Sequence, residues 1–199
     1  RVVGWGYYYL VTVMDDYSRF ILAWKVQQDM TADSLIEVVQ DAVDVTGMDA
    51  VLLQDRTRLL SDNGSGYISR AFREYLHLVG IRHILASPYH PQTNGKLERY
   101  HRTLKSDVNQ VPYEIVQDLE TAIGDFVGFY NHRRYHKALG DLTPEDVLEG
   151  RREAILTRRK EVQRETFQRR RQYNQQVRDA LNRRASSPGV SGPKVSNSC

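Results

Sequence analysis

The sequence predicts an α/β fold with mixed strand pairing, followed by a long basic helix. Two observations lead to this prediction. Short aromatic and β-branched segments open the chain, and helical patterns alternate with further short strands up to residue 150. Beyond that point apolar residues become sparse, and Arg and Gln dominate through residue 184. We therefore expect a core domain over residues 1–150, a basic helical extension over 151–184 and a disordered tail rich in Ser, Pro and Gly over 185–199.

Four segments of the core have the composition of β-strands. The first two are rich in aromatic and β-branched side chains and flank a polar turn that contains Asp15 and Asp16, which predicts a hairpin. The third runs into the turn-forming sequence that starts at Ser61, and the fourth follows Gly80. We predict strands at residues 7–14 and 20–26, within 52–60, and at 82–85.

Helical periodicity accounts for most of the remaining core. In residues 31–46 the apolar side chains recur on one face, Thr31 or Asp33 can cap the start, and Gly47 ends the pattern. The same spacing predicts a helix over residues 95–108. Its core face consists of Leu97, Tyr100, Leu104 and Val108. Further helices are predicted at residues 69–79, 115–134, 144–148 and 152–184.

Charge is unevenly distributed along the chain. The 199 residues carry 28 Lys and Arg against 25 Asp and Glu, a net charge of +3. Residues 151–184 alone hold 12 basic and 4 acidic side chains, whereas residues 1–150 are mildly acidic. A basic arm on an acidic core indicates contact with a polyanion. The alternative is a solvated helix without a partner.

Cysteine content and hydropathy exclude several classes of protein. Cys199 is the only cysteine of the sequence, which excludes a disulfide framework and a Cys-rich zinc site and fits a reducing cytosol. No stretch approaches the roughly 18 apolar residues that a membrane helix needs. We therefore expect a cytoplasmic protein with no membrane segment, associated with the nucleoid if the source is bacterial.

Two acidic residues stand out as candidate catalytic metal ligands. Asp62 lies where a predicted strand ends in a turn, and Glu98 lies in the first turns of a predicted helix, with 35 residues between them. Mg²⁺ favours hard carboxylate oxygens, and two such ions can activate a nucleophile and stabilise a leaving oxygen in phosphoryl displacement. That chemistry needs carboxylates from separate elements at one edge of a sheet. The alternative is a turn aspartate bonded to its own backbone and an unrelated surface glutamate.

The helix that carries Glu98 also carries two cations on the same face. Glu98, Arg102 and Lys105 lie at positions i, i+4 and i+7, an arrangement that suits a phosphodiester running along the helix. The alternative is an i,i+4 salt bridge. The preceding loop contains Gly and Pro and is expected to be a mobile lid. Its side chains able to bond phosphates or base edges are His90, Gln92, Thr93 and Asn94.

Four motifs, taken in order, make the chain resemble the retroviral-integrase-like core of insertion-sequence transposases. They are VMDDYSRFILAW at residues 13–24, LLSDNGSGY at 59–67, HPQTNGKLERYHRTLK at 90–105 and YNHRRYHKALGDLTPEDV at 130–147. The resemblance implies a ribonuclease H-like fold, with a mixed five-stranded sheet flanked by helices. It also implies a triad of two aspartates and a glutamate that binds Mg²⁺ or Mn²⁺. Asp62 matches the second aspartate, and Glu98 matches the glutamate.

The first aspartate of that triad is the point where the resemblance is incomplete. In the family it lies on the first strand, ahead of the hairpin, in a segment like W-x-T-D-x-T-Y. Residues 1–6 resemble the turn that follows this strand, so we expect the first strand and its aspartate to fall before Arg1. The alternative is that Asp15 or Asp16 is the third ligand, although both match the turn after the second strand.

The resemblance implies transposition or integration of DNA. Water would attack a phosphodiester at an element end, and the freed 3′-hydroxyl would then attack target DNA, with two Mg²⁺ or Mn²⁺ ions in the intact site. The implied partners are double-stranded DNA, as element ends and as target, and further copies of the chain in a homo-oligomer. The expected DNA-binding residues are His90, Gln92, Asn94, Lys96, Arg102, Lys105, Arg133 and Arg134.

Other interpretations stay open at this point. The segment that contains Arg133 and Arg134 could brace the catalytic helix, or could be an ordinary polar helix end. The chain could be a two-metal nuclease of the same fold that acts on RNA or a DNA hybrid. It could also be a catalytically inactive DNA-binding or assembly fragment of a transposase, which the missing first aspartate favours.

Overall fold

The computed structural model describes residues 6–86 and 95–185, except for the side chains of the last two. The chain divides into two compact units, Arg1–Arg151 and Arg152–Cys199. The predicted lid loop with His90, Gln92 and Asn94, and the predicted disordered tail from residue 186 onward, lie outside the described residues.

The elements of the described residues follow the predicted order. The strands are β1 (Tyr9–Met14), β2 (Ile21–Gln27), β3 (Arg58–Ser61) and β4 (Arg82–Leu85). The helices are α1 (Ala32–Thr46), α2 (Ser65–Ile68), α3 (Arg70–Leu78), α4 (Gly95–Val108), α5 (Val116–His132), α6 (Pro144–Leu148) and α7 (Arg152–Ala185). Short 3₁₀ turns lie at Met48–Ala50 and Lys137–Leu139. The sequence patterns missed α2, because a single helical turn is too short for its periodicity to show.

The first two strands form the predicted hairpin. β1 pairs antiparallel with β2, from Tyr9 opposite Gln27 to Met14 opposite Ile21, with a register shift after Val13. Because side chains alternate along a strand, the hairpin presents one face to α1 and the other to α4 and α5. The hairpin therefore sits between two helical layers.

The sheet is where the structure departs from the predicted fold. β3 pairs parallel with β4, and among the described residues these two strands form a sheet separate from the β1–β2 hairpin. The described part of the chain is thus a mixed α/β fold with two two-stranded sheets, not the single five-stranded sheet that we expected. Strand pairing depends on a partner that can lie anywhere in the sequence, so local patterns located the strands without fixing their neighbours.

A first hydrophobic cluster joins both sheets through α1. The predicted apolar face of this helix is buried, and it packs against Val11 of β1, Ala23 of β2 and Phe72 of α3. Leu59 of β3 packs at the margin of the same cluster. The buried residues of α1 are Leu35, Val38, Val39, Ala42 and Val43. The hairpin, α1 and β3 thus share one hydrophobic cluster.

A second cluster holds the opposite face of the hairpin against α4 and α5. Ile21 of β2 belongs to it, and Leu97 at the start of α4 packs at its margin. The helix residues buried in it are Tyr100, Leu104 and Val108 from α4, and Ile123, Phe126, Val127 and Tyr130 from α5. The predicted core face of α4 is confirmed, so the exposed side of this helix is known as well.

The second unit is described by α7, a helix of 34 residues. From Val162 onward its large apolar side chains are exposed, as Phe167, Tyr173 and Leu181 illustrate with exposures of 61%, 67% and 59%. Arg and Lys extend along its length. Among the described residues, no helix combines the length and the apolar character that crossing a bilayer requires.

Candidate metal and nucleic-acid site

Asp62 directly follows β3, in a turn that its own side chain stabilises. Its Oδ1 accepts a hydrogen bond from the Gly64 N–H at 2.8 Å. A Cβ atom at residue 64 would lie 3.0 Å from that oxygen, so glycine permits the close approach of backbone and carboxylate. Burial, reinforced by the negative charge of Asp62, raises the pKa of Tyr67 to about 12. Asp62 therefore stabilises its own turn, and its Oδ2 makes no hydrogen bond with the described residues.

The chain leaves β4 beside Asp62. Parallel pairing brings the carboxyl ends of β3 and β4 to one edge, with Ser61 opposite Leu85. The Ala86 N–H donates to the Ser61 carbonyl at 2.8 Å, and Asn63 Nδ2 donates to the Ala86 carbonyl at 2.9 Å. The segment that connects β4 to α4, and so leads to Glu98, therefore starts in hydrogen-bond contact with Asn63, the residue that follows Asp62.

Glu98 lies in the first turn of α4, on the side that faces away from the core. Arg102 and Lys105 lie on the same exposed side, as the spacing predicted. Glu98 and Arg102 form no salt bridge, so the ordinary i,i+4 ion pair does not explain this arrangement. The three side chains form an exposed face with one carboxylate and two cations.

Asp15 and Asp16 have other partners. Asp15 Oδ2 accepts from the Ser18 N–H at 2.7 Å and from the Ser18 hydroxyl at 2.6 Å, which closes the hairpin turn. Asp16 Oδ1 lies 2.8 Å from Lys96 Nζ, and the same ammonium donates to the Asp16 carbonyl at 2.8 Å. Residues 96 and 98 are separated by about 200° around an α-helix, so Lys96 holds Asp16 on the opposite side of α4 from Glu98.

The described residues have the donor chemistry of a divalent-metal site but not a complete set of ligands. The carboxylate oxygens of Asp62 and Glu98 are hard ligands that suit Mg²⁺ or Mn²⁺. Within residues 6–86 and 95–185, however, no three His, Cys, Asp or Glu side chains cluster closely enough to hold a metal ion.

The motif at residues 130–147 mainly braces the core. The Asn131 carboxamide is buried and bonds both backbone groups of Ile21. The Tyr130 ring lies 5.0 Å from the Tyr100 ring and 4.8 Å from the His136 ring, both edge-on. Of the two predicted DNA-binding arginines in this motif, Arg133 is exposed at the end of α5 and Arg134 is partly buried. The bracing alternative therefore accounts for Asn131 and Tyr130, and leaves the arginines for another role.

The structure brings Lys96 and Arg134 together. Both line a cavity of about 410 Å³ with Arg19 from the hairpin turn and Arg99 from α4. Burial lowers the pKa of His136, which also lines this cavity, to about 4, and the positive charges of Arg134 and Arg19 act in the same direction. Sequence reasoning missed Arg19 and Arg99, since residues so far apart in the chain share no local pattern. The SRF triplet around Arg19 was the one available signal, through the family motif.

Two family models match the chain, and both are described as the integrase core domain. The first matches residues 1–91 and the second matches residues 79–144. Together the two matches span residues 1–144. They confirm the resemblance to insertion-sequence transposases with an integrase-like core, and the relatives below agree with it.

Two relatives with known names are similar over most of the core. One is named as the transposase for insertion sequence element IS986/IS6110 of Mycobacterium tuberculosis, 27% identical over 144 residues that cover 71% of this chain and 52% of that protein. The other is named as integrase ORF3 of Spiroplasma virus SpV1-C74, 28% identical over 155 residues that cover 71% of this chain and 42% of that protein. The chain thus spans about half the length of the curated relatives it matches.

Solved structures agree on the fold of the integrase core. The catalytic core domain of BIV integrase has a TM-score of 0.55 and 22% identity, and the match covers 76% of this chain and 92% of that one. The HTLV-2 integrase catalytic core domain, in complex with magnesium in a trimeric form, has a TM-score of 0.53 and 18% identity, covering 70% of this chain and 83% of that one. The first unit therefore has the fold of retroviral integrase catalytic cores.

Proposed function

We propose that this chain is the catalytic core of a transposase that cuts and joins double-stranded DNA by metal-dependent hydrolysis and strand transfer. One observation carries the proposal: the edge where Asp62 ends β3 is also the edge from which the chain leads to Glu98. Carboxylates on separate elements at one sheet edge suit two-metal phosphoryl transfer. The matches to the two integrase core domain models support the same chemistry.

Asp62 and Glu98 would hold Mg²⁺ or Mn²⁺, which would supply Lewis-acid activation of a water and of the leaving oxygen. Arg102 and Lys105 extend from Glu98 along α4 and would bind backbone phosphates of the DNA. The loop residues His90, Gln92 and Asn94 and the exposed Arg133 would add contacts to the same substrate. No protein nucleophile takes part, since water and then a DNA 3′-hydroxyl attack the phosphorus.

The third carboxylate would come from a strand placed between β1 and β3. In a five-stranded ribonuclease H-like sheet this position is the centre, with the hairpin on one side and the β3–β4 pair on the other. The separation of the two sheets supports that proposal, and the contacts of Asp15 and Asp16 speak against their serving instead. The described residues would then contribute two of three ligands and the flanking four strands.

DNA and further copies of the chain are the proposed partners. The positive charge of residues 151–184 suits the phosphate backbone of element ends or target DNA. An intasome and trimeric or dimeric forms are named among the structural neighbours, and that supports a homo-oligomeric assembly for this chain.

Metal titration of the full chain tests the proposed site. We expect Mn²⁺ binding that weakens at least tenfold in Asp62→Asn and in Glu98→Gln. The matched control Glu74→Gln removes an exposed carboxylate from α3 and should leave the affinity unchanged. If either site variant binds Mn²⁺ as the parent does, the metal assignment is wrong. A loss in Asp16→Asn would move the third ligand to the hairpin turn.

A second candidate is a DNA-binding or assembly module without catalytic activity. The incomplete ligand set among the described residues favours it for the chain by itself. The two candidates differ in one measurement: nicking of a supercoiled plasmid in Mn²⁺. A module without activity binds the plasmid and leaves it intact, whereas the catalytic core cuts it once the third carboxylate is supplied on an N-terminal strand.

A further inference from the structure

Four cations from three separate segments converge on one cavity of the first unit. Arg19 comes from the turn after β1, Lys96 and Arg99 from the first turns of α4, and Arg134 from the segment after α5. The cavity has a volume of about 410 Å³, which exceeds the volume of a phosphate group several-fold. No Asp or Glu is among the described residues that line it.

The positive charge of this cavity is not balanced within the described structure. Lys96 pairs with Asp16, but Arg19, Arg99 and Arg134 form no ion pair with any described residue. The charges of Arg134 and Arg19 also act on the buried Tyr130. Burial raises the pKa of its hydroxyl, and both charges lower it. Like charges that share a cavity repel one another unless an anion is bound there.

The position of Arg19 is held at a conformational cost. Its backbone is left-handed, with φ of 64°, a conformation that residues other than Gly, Asn and Asp rarely adopt. The Arg19 N–H donates to the Asp15 carbonyl at 2.8 Å, and the Asp15 carboxylate fastens Ser18 beside it. Strain that the surrounding contacts maintain is typical of functional positions. Here it places an arginine at the cavity.

The cavity is also lined by Tyr130 and by His136, which has a buried polar atom without a partner among the described residues. Tyr130 is 4% exposed, and its ring packs edge-on against His136. His136 Nε2 is buried and has no hydrogen-bond partner among the described residues. A buried ring nitrogen without a partner costs free energy unless a ligand or water completes its hydrogen bond.

We propose that this cavity binds a phosphate group through Arg19, Arg99, Arg134 and Lys96, at a site separate from the candidate metal ligands. Guanidinium groups match phosphate because they donate two parallel hydrogen bonds and stay charged at any working pH. None of these residues is Asp62 or Glu98, so the site goes beyond the proposed function and does not depend on it. The phosphate belongs either to a DNA backbone or to a free phosphate ion.

Calorimetric titration with inorganic phosphate, without divalent metal, tests the site in the full chain. We expect saturable binding at a 1:1 ratio, and at least a tenfold loss of affinity in the double variant Arg99→Gln/Arg134→Gln. The matched control Arg70→Gln/Arg82→Gln removes the same charge from α3 and β4, outside the cavity, and should bind phosphate as the parent does. Absent or non-saturable binding by the parent, or an equal loss in both double variants, overturns the proposal.

Two further measurements distinguish loss of the phosphate site from loss of the fold. Neutralising two of the converging arginines removes repulsion, so the Gln double variant should unfold at a temperature at or above that of the parent in phosphate-free buffer. Arg99→Lys/Arg134→Lys keeps the charge and should bind phosphate within tenfold of the parent; a folded Lys variant that binds none of it contradicts the charge-based site.

A duplex of 20 base pairs in a salt series distinguishes the two sources. If the cavity takes a backbone phosphate, the Gln double variant has a slope of log K against log salt that is shallower by about 2. If the slope is unchanged while phosphate binding is lost, the site takes free phosphate. Either result upholds a phosphate site, and each is independent of metal binding at Asp62 and Glu98.

Discussion

The carboxamide of Asn131 bonds both backbone groups of Ile21, 110 positions earlier in the chain. Asn131 Oδ1 accepts from the Ile21 N–H at 2.9 Å, and Nδ2 donates to the Ile21 carbonyl at 3.1 Å. Ile21 lies where β2 begins, beside the register shift of the hairpin. A side chain from α5 thus takes the place of a neighbouring strand and satisfies two buried peptide groups.

Replacing Asn131 should therefore cost more than an average surface substitution. Asn131→Leu leaves a buried donor and a buried acceptor of Ile21 without partners, and we expect a loss of about 2–4 kcal/mol in the free energy of unfolding. Urea denaturation followed by circular dichroism measures it. Asn174→Leu on the exposed side of α7 is the matched control. An unchanged urea midpoint in Asn131→Leu would contradict the role of this side chain.

Two glycines should respond to alanine in opposite directions. A Cβ at Gly66 would lie 2.4 Å from the Met30 carbonyl oxygen and 2.6 Å from Leu35 Cδ1, so Gly66→Ala must displace α2 from the start of α1. We expect destabilisation of about 1–3 kcal/mol. Gly128 lies within α5 with nothing within 4 Å of its added Cβ, so Gly128→Ala should stabilise by about 0.5–1 kcal/mol through helix propensity. Thermal unfolding of both variants checks the pair; a stable Gly66→Ala refutes the close approach.

Acid should destabilise the first unit partly through His136. Its pKa in the folded chain is lowered to about 4, first by burial and then by Arg134 and Arg19. In the unfolded chain, His136 takes up a proton near pH 6.5. As the pH falls from 6.5 towards 4, the unfolded chain binds this proton and the folded chain does not, so the free energy of unfolding decreases. The stability that the neutral His136 contributes is therefore fully present above pH 6.5 and is lost towards pH 4. Because the side chain is only partly buried and solvent screens it, we expect a loss of about 1–2 kcal/mol.

Urea titrations at pH 7 and pH 4.5 measure this effect. His136→Gln should lose less stability over that interval than the parent, whereas the exposed His77→Gln should follow the parent. Part of the pH dependence will persist, since burial also lowers the pKa values of His83 and His101. Parallel curves for His136→Gln and the parent would exclude this role for His136.

Charge on α7 should set the salt dependence of DNA binding if the proposed function holds. Arg169→Gln/Arg170→Gln/Arg171→Gln removes three exposed cations, and the slope of log K against log salt should become shallower by about 2–3. The matched control removes the same charge from the first unit, through Arg58→Gln, Arg70→Gln and Arg82→Gln. Equal slopes for the α7 variant and the parent would mean that α7 is a solvated helix without a DNA partner, which is the alternative that its sequence raised.

Much of the fold follows from local patterns. α4 and α6 have the predicted bounds, since a helical run of apolar residues and a Thr-Pro start are local signals. The core faces of α1 and α4 are also as predicted. The division into two small sheets could not be predicted, because it depends on which strands find partners across the chain.

The candidate site was accessible to sequence reasoning in part. Asp62 and Glu98 stand out through their motifs, and the exposed face of α4 follows from its core face. The cavity around Arg19 and Arg99 was not predicted, because it forms where a strained turn, a helix start and the end of another helix meet. Only tertiary packing brings those three segments together, and periodicity carries no information about it.

α1 supplies no candidate ligand, yet its buried face lies in the same hydrophobic cluster as residues of the hairpin and of β3. A close-packed cluster responds to the gain or loss of a single methylene and transmits the resulting strain. A change of side-chain volume in α1, for example at the fully buried Val38, would therefore be transmitted both to the hairpin and to the strand that leads into Asp62.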